Sequence, residues 1–286
     1  MTYSRVGIFV HRTRSEARDL AQETQAWLAA HGISALFDTE TATREGLPAF
    51  NAQSIAELDF IITLGGDGTI LTAARLAAPH GIPILGVHLG RFGFIAETYP
   101  HALFPALERV LKNEVSIEER LMLEAEIWRE EALIRSGVGL NDVMVKSGMS
   151  HLLRLKTALG GVEFATYPAD GIVVATPTGS TAYALSAGGP FVMPTVQALI
   201  LVPICPHTLN ARPMVVPSTE TIEIEVETDG DDILCAVDGV DAFPLKSHDR
   251  VAIHRATYST RLITLEPATF YRKVRARYLY GERLNE

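Results

Sequence analysis

The chain has 286 residues, enough for about two domains of roughly 150 residues, each able to bury a core. Its 47% hydrophobic and 21% charged residues, with 22 glycines and 15 prolines, exclude a disordered chain, a collagen repeat and a coiled coil. A net charge of −9, from 25 Lys and Arg against 34 Asp and Glu, argues against a nucleic-acid partner, although one nucleotide needs only local phosphate donors.

In chain order, residues 6–10 read as a buried strand, and the His11, Arg12 and Arg14 that follow are unlike a secretory leader. Residues 15–30 read as a helix with Leu20, Trp27 and Leu28 among its apolar positions and Gly32 as its stop. Strands follow at 33–37 and 60–64, a helix at 69–78 before Pro79, a strand at 83–87 and a helix at 102–112. Such alternation predicts right-handed crossovers and a mostly parallel sheet. Beyond about residue 116 the pattern becomes mainly β, with short strands at 122–128, 143–146, 152–159, 172–175, 222–226 and 233–237, and one helix at 181–187. Glu223, Glu225 and Glu227 alternate with Ile222, Ile224 and Val226, the period of a strand with one wet face. No run approaches the roughly 18 apolar residues of a membrane span, so no membrane partner is expected and the protein is read as cytoplasmic. Cys205 and Cys235 are too few for a disulfide framework and are read as two buried thiols. Residues 214–245 hold nine carboxylates and no Lys or Arg, whereas 271–283 hold five basic residues; both are read as solvated surface.

Three segments could carry chemistry. A buried strand runs into Gly65-Gly66-Asp67-Gly68-Thr69 and then a helix, so exposed amides and a positive helix end suit phosphate. No Gly-Lys-Ser/Thr follows, and Leu71 stands where a dinucleotide fingerprint needs its third glycine. A tight turn with a solvated Asp is the bland alternative. The second segment runs from Asp170 through Thr176-Pro177-Thr178-Gly179-Ser180-Thr181-Ala182-Tyr183 to Ser186 and Pro190, supplying hydroxyls, amides and one ring of the kind a ribose, an amide and an adenine require. It is no nucleophile elbow, which needs glycine on both sides of the serine. The third is Asn141-Asp142, an amide beside a carboxylate that can read a base and a ribose hydroxyl together. Val237-Asp238-Gly239 is a further acidic turn, with a plain turn as its stronger reading.

These three motifs occur in the order and at the spacing of the NAD kinases, and the sequence resembles a bacterial member of that family over nearly its whole length. The loop Gly86 to Phe94 is similar as well, with His88 where Asn is common, and so is 201–209. The resemblance implies a Rossmann-like α/β domain over 1–115, a β-rich, sandwich-like dinucleotide-binding domain over 116–262, and a segment 263–286 returning to the first. It implies transfer of phosphate from ATP, or from polyphosphate, to the adenosine ribose 2′-hydroxyl of NAD, with a divalent metal such as Mg2+ and a homodimer or homotetramer. Carried onto this chain, Asp67 is the catalytic residue, and Gly65, Gly66, Gly68 and Thr69 bind phosphate. Phe94 lies near the nicotinamide side, Asn141 holds the adenine and Asp142 the ribose. Asp170 holds the nicotinamide amide, while Thr181, Ala182, Tyr183 and Ser186 line the dinucleotide. His151, Cys205 and Val240 align as further substrate contacts, although many members carry a polar residue at Val240's position and an arginine where Pro168 lies. The rivals are a non-catalytic dinucleotide sensor and a lipid or sugar kinase of the same superfamily. On this reading Asp67→Asn is expected to leave stability almost unmoved, because the turn keeps its glycines.

Overall fold

The structure, a computed structural model, describes residues 3–90, 93–148, 152–228, 230, 232–266 and 269–278. The chain divides into two compact units, Met1–Glu119 with Ser259–Glu286, and Arg120–Tyr258.

The first unit is an alternating α/β layer. Strands β1 (Arg5–Val10), β2 (Ser34–Asp38), β3 (Ala49–Phe50), β4 (Phe60–Gly65) and β5 (Ile84–His88) pair in parallel in the order β5-β4-β1-β2-β3. Between them run α1 (Ser15–Ala30), α2 (Thr39–Glu45) and α3 (Asp67–Ala77), and α4 (Leu103–Leu111) follows. Strands buried on both faces need unbroken apolar runs rather than alternation, and β4 and β5 are buried at every position. The core joins Val6, Ile8, Phe60, Ile62 and Leu85 of the sheet to Leu20 and Leu28 of α1 and Leu103 and Leu107 of α4. Helix α2 has no such apolar stripe, burying only Thr41 and Ala42. Its ends hold it instead: the Asp38 carboxylate accepts the Thr41 N–H at 3.0 Å, and Gly46 takes the left-handed conformation after its last turn.

The second unit is built from β6 (Ser116–Arg129), β7 (Ala132–Gly139), β8 (Asp142–Ser147), β9 (Leu153–Leu159), β10 (Val162–Ala169), β11 (Gly171–Ala175), β12 (Ala198–Ile204), β13 (Met214–Pro217), β14 (Ile222–Glu227), β15 (Ile233–Val237), β16 (Asp241–Leu245) and β17 (Arg250–Thr264). One antiparallel sheet has the order β13-β12-β11-β8-β15-β16. In the other, β10, β9, β14 and β17 are neighbours, and β6 pairs with both β17 and β7. A single core takes Val143, Val145, Ile172, Val174, Leu201 and Ile233 from the first sheet and Leu123, Leu155, Ile222, Ile224, Val226 and Val251 from the second. On β14 the three glutamates face outward, as the alternation predicts. The 181–187 helix is shorter than expected: a 3-10 turn over Thr178–Thr181 leads into one α-turn, α5 (Tyr183–Ser186).

The last strand carries the chain back. Within the first unit Leu262 of β17 pairs in parallel with Ile84, and α6 (Thr269–Tyr278) follows.

Candidate active site

In the first unit β4 delivers the glycine turn to the start of α3. Helix α3 begins at Asp67 itself rather than at Thr69, with Gly66 extended before it. The first-turn N–H groups of a helix lack intrahelical acceptors and carry its positive dipole end. The glycines divide by role. A Cβ on Gly65 would collide with the Thr69 hydroxyl, so the fold itself requires that glycine. Gly66 and Gly68 take ordinary backbone angles, and a Cβ on either would meet nothing within 4 Å. Their lack of side chains bares the backbone toward open space, which is what close approach of a phosphate demands.

The Asp67 carboxylate turns onto the segment after β5. It accepts N–H groups from Phe94 at 2.8 Å, Ile95 at 3.3 Å and Ala96 at 3.4 Å. Any side chain at Gly93 would collide with this carboxylate and come within 2.9 Å of His88 Nδ1. The three Asp67 bonds tie a loop to the helix, which argues against the expectation that Asp67→Asn spares stability. His88, paired in register with Gly65, is buried, and its Nδ1 has no hydrogen-bond partner among the described residues. Burial holds this imidazole below its usual pKa; the Asp67 charge opposes that, while Arg14, Arg277 and Lys273 reinforce it. The Phe94 ring stacks on Tyr278, with centroids 6.1 Å apart, and lies 5.5 Å from the Arg277 guanidinium carbon.

In the second unit the Leu140–Asp142 turn is organised by an acid that sequence reasoning ranked lowest. The Asp238 carboxylate accepts the N–H groups of Leu140 at 3.0 Å, Asn141 at 2.7 Å and Asp142 at 3.2 Å. Asp238 itself sits at φ 51° and returns its own N–H to the Asp142 carbonyl at 2.9 Å. From the other side, Thr176 donates its N–H to the Asn141 carbonyl and its hydroxyl to the Leu140 carbonyl, at 2.8 and 2.6 Å. Gly179 lies so close to the Asn141 carbonyl that a Cβ there would overlap it. Thus Asn141, Asp142 and the Thr176–Gly179 turn form one cluster. The Asn141 side-chain oxygen within it is buried and accepts from no described group. Asp142 is 6% exposed, and its carboxyl is pushed up to about 7, first by burial and then by the Asp238 charge.

The remaining expected residues are less concentrated. The hydroxyls of the second motif are mostly engaged by the backbone: Ser180 accepts from Val192 N–H at 3.1 Å, and Thr181 donates to the Thr178 carbonyl at 3.2 Å. Ala182 follows as a half-buried residue, and Tyr183 (39% exposed) and Ser186 are open to solvent. Asp170 is exposed at the start of β11, its backbone tied to Ile204 and Ser147. Cys205, next to Ile204, is exposed at φ 46°, which corrects the expectation of two buried thiols. Cys235 is buried, and burial pushes its thiol up to about 12. Val240 is 60% exposed in the turn after Asp238. His151 lies outside the described residues. Among the described residues one trio, Glu225, Glu227 and His248, has metal-compatible spacing, but Lys156 already pairs with both glutamates.

Comparison with known proteins agrees with this architecture. The family model for the ATP-NAD kinase N-terminal domain matches residues 6–115, and the model for the C-terminal domain matches 140–265. An NAD kinase from Heliobacterium modesticaldum is 41% identical over 279 residues, covering 96% of this chain and 99% of the relative. One from Koribacter versatilis is 39% identical over 282 residues, covering 97% and 99%. Two solved structures share the fold at 24% identity. Yeast NADH kinase complexed with NADH has a TM-score of 0.90, covering 100% of this chain and 91% of that one. An NAD kinase from Archaeoglobus fulgidus in complex with ATP has a TM-score of 0.75, covering 95% and 99%. With family models matching both halves and relatives this similar over nearly the full length, the chain belongs to the NAD kinase family.

Proposed function

We propose that this chain transfers the terminal phosphate of ATP to the adenosine ribose 2′-hydroxyl of NAD, releasing ADP and forming NADP. The observation that carries the reading is the family membership, held across both halves of the chain. Phosphoryl transfer asks little covalent chemistry of a protein; it asks for positioning and for stabilisation of phosphate charge.

The bare amides at Gly66 and Gly68, with the N-terminus of α3, receive the donor phosphate, and Gly65 and Thr69 shape the turn beneath it. The 2′-oxygen attacks phosphorus, the bond to the ADP oxygen breaks, and the hydroxyl proton goes to Asp67. A carboxylate oxygen holding one N–H keeps a second lone pair for that proton. The Asn141 side-chain oxygen suits the amino group of adenine, a donor for an otherwise unmatched buried acceptor. Asp142 takes the ribose hydroxyls and Asp170 the nicotinamide amide. Phe94, Thr181, Ala182, Tyr183, Ser186, His151, Cys205 and Val240 complete the substrate contacts.

The described residues of the phosphate turn do not fit a Mg2+ held by protein carboxylates. Asp67 is the only acid in that turn, and both its oxygens accept backbone N–H groups. A divalent ion fits better on the phosphate oxygens of the donor, where Mg2+ keeps much of its water. No helix among the described residues is long and apolar enough to cross a membrane. Residence in the cytoplasm and assembly as a homodimer or homotetramer belong to the same proposal, and the mass in solution tests the latter.

The test is incubation with ATP, Mg2+ and NAD, reading NADP formed, with polyphosphate replacing ATP in a second arm. NADP from either donor supports the kinase. Bound NAD without product indicates a sensor, and a phosphorylated lipid or sugar with no NADP indicates the other kinase class.

A further inference from the structure

The segment that bonds to Asp67 is gripped by a second charge as well. Lys273, on α6, donates from Nζ to the carbonyls of Phe94 at 3.1 Å and Ala96 at 2.8 Å. The same Nζ lies 3.5 Å from Glu97 Oε2, with the two side chains only 15% and 8% exposed. Glu97 in turn accepts the Leu265 N–H at 3.0 Å, which fixes the acid to the chain entering α6. Residues 94–96 thus give three N–H groups to a carboxylate, and Phe94 and Ala96 give their carbonyls to an ammonium. The 94–95 peptide unit, with the Phe94 carbonyl on Lys273 and the Ile95 N–H on Asp67, has its dipole aligned between the two charges, so each bond polarises the other. A lysine with its amine this enclosed is not the solvated cation that the run of basic residues at 271–283 suggests.

We infer that Lys273 is a positioning residue, which sets the orientation of the Asp67 carboxylate through the 94–95 peptide unit and the segment around it. Lys273 touches neither substrate nor phosphate in this assignment; it acts through the loop. The inference rests on the kinase reading above. Removing the ammonium frees the Phe94 and Ala96 carbonyls, so the 94–95 peptide unit can rotate and the segment holds Asp67 less firmly. Misplacement of a reacting group by on the order of 1 Å can cost about a hundredfold in rate.

Lys273→Met should lower kcat at least tenfold while the KM for NAD stays within about twofold, because Asn141, Asp142 and Asp170, assigned to hold the dinucleotide, are untouched. It also leaves Glu97 buried without its cation, which destabilises by itself. Lys273→Met with Glu97→Gln removes that stranded charge yet keeps an oxygen for the Leu265 N–H. The double variant should recover most of the melting temperature but not the kcat. Hydrogen exchange at the 94–96 amides should quicken in both variants, a readout that needs no activity. If kcat returns along with melting temperature, or never falls, Lys273 is a structural ion-pair member only. Amides as protected as in the unmodified protein overturn the clamp whatever the rates. An unmodified chain that makes no NADP sinks the kinase reading, and the exchange measurement still decides the clamp.

Discussion

Asp67→Asn keeps the shape of the side chain and removes its charge, so it tests two roles of one carboxylate. The Phe94 N–H bond at 2.8 Å is full-length, whereas those from Ile95 and Ala96, at 3.3 and 3.4 Å, are long and weak. An asparagine keeps one oxygen and turns an NH2 group toward donors that need an acceptor. A hydrogen bond to a charged group contributes about 1.5–3 kcal/mol, so the variant should lose about 1–3 kcal/mol of stability. At roughly 2–4 °C per kcal/mol for a chain near this size, the Tm should fall by about 2–12 °C. If the same carboxylate also takes the ribose proton, kcat should fall by about 10²- to 10⁴-fold. NAD binding should survive within a few-fold, since Asn141 and Asp142 lie in the other unit. The assay is kcat, NAD affinity and Tm on one preparation, with rates taken about 20 °C below the variant's Tm so that only folded molecules turn over. A kcat within tenfold of the unmodified chain would refute the catalytic role. An unchanged Tm would refute the loop anchor.

Asn141→Ala should raise the KM for NAD more than it lowers kcat, because a base contact holds ground and transition states alike; losing it should cost about 1–3 kcal/mol, and steady-state kinetics at varied NAD reads the split. Asp142 carries a sign that can be worked out: its carboxyl, at about 7 in the fold against 3.8 as its ordinary value, binds more protons folded than unfolded between those limits. Stability should therefore fall as pH rises from about 4 to about 7, by up to about 4 kcal/mol, and urea titrations should show a flatter profile in Asp142→Asn. The KM for NAD should fall over the same rise in pH if the charged form takes the ribose, and the Asn variant should lose that slope. Gly179→Ala pushes a methyl into the Asn141 carbonyl, a backbone atom with no flexible end to yield; a loss of about 2–4 kcal/mol in Tm measurements, with raised KM for NAD, is the expected result.

What could be read from the sequence was whatever burial writes into it. Strand β11 is an unbroken apolar run, β4 is one interrupted only by Thr63, and β14 alternates cleanly, so each announces itself. Strands β7 and β10 do not: they are largely exposed, and β10 even carries Pro168, so no apolar period marks them. Helix α2 escaped because its caps, not an apolar face, hold it; Asp38 three residues before Thr41 and Gly46 after Glu45 were the available signals. Of the candidate site, the turns were legible because glycines and acids cluster where a strand gives way to a turn. The groups that orient those turns were not. Lys273 lies in a basic run, and only the folded chain brings it to Glu97 and to the Phe94 and Ala96 carbonyls.

The two units solve one local problem in the same way. Asp67 collects the N–H groups of residues 94, 95 and 96, and Asp238 those of 140, 141 and 142. Three consecutive amides converging on one carboxylate fix a non-repetitive turn that neither helix nor sheet could hold. Taken as isolated turns these acids look alike, each beside a glycine after a strand, and only the family resemblance singles out Asp67. Their settings differ in the fold. Asp238 is 9% exposed beneath the turn it organises, so its charge works inward, on the backbone and on Asp142. Asp67 opens a helix whose flanking Gly66 and Gly68 face open space, so the carboxylate that anchors a loop also borders a bare N-terminus. Anchoring and proton transfer are then compatible demands on Asp67: the amides that hold it fix the direction of its remaining lone pair. A reacting hydroxyl needs that direction fixed before it arrives.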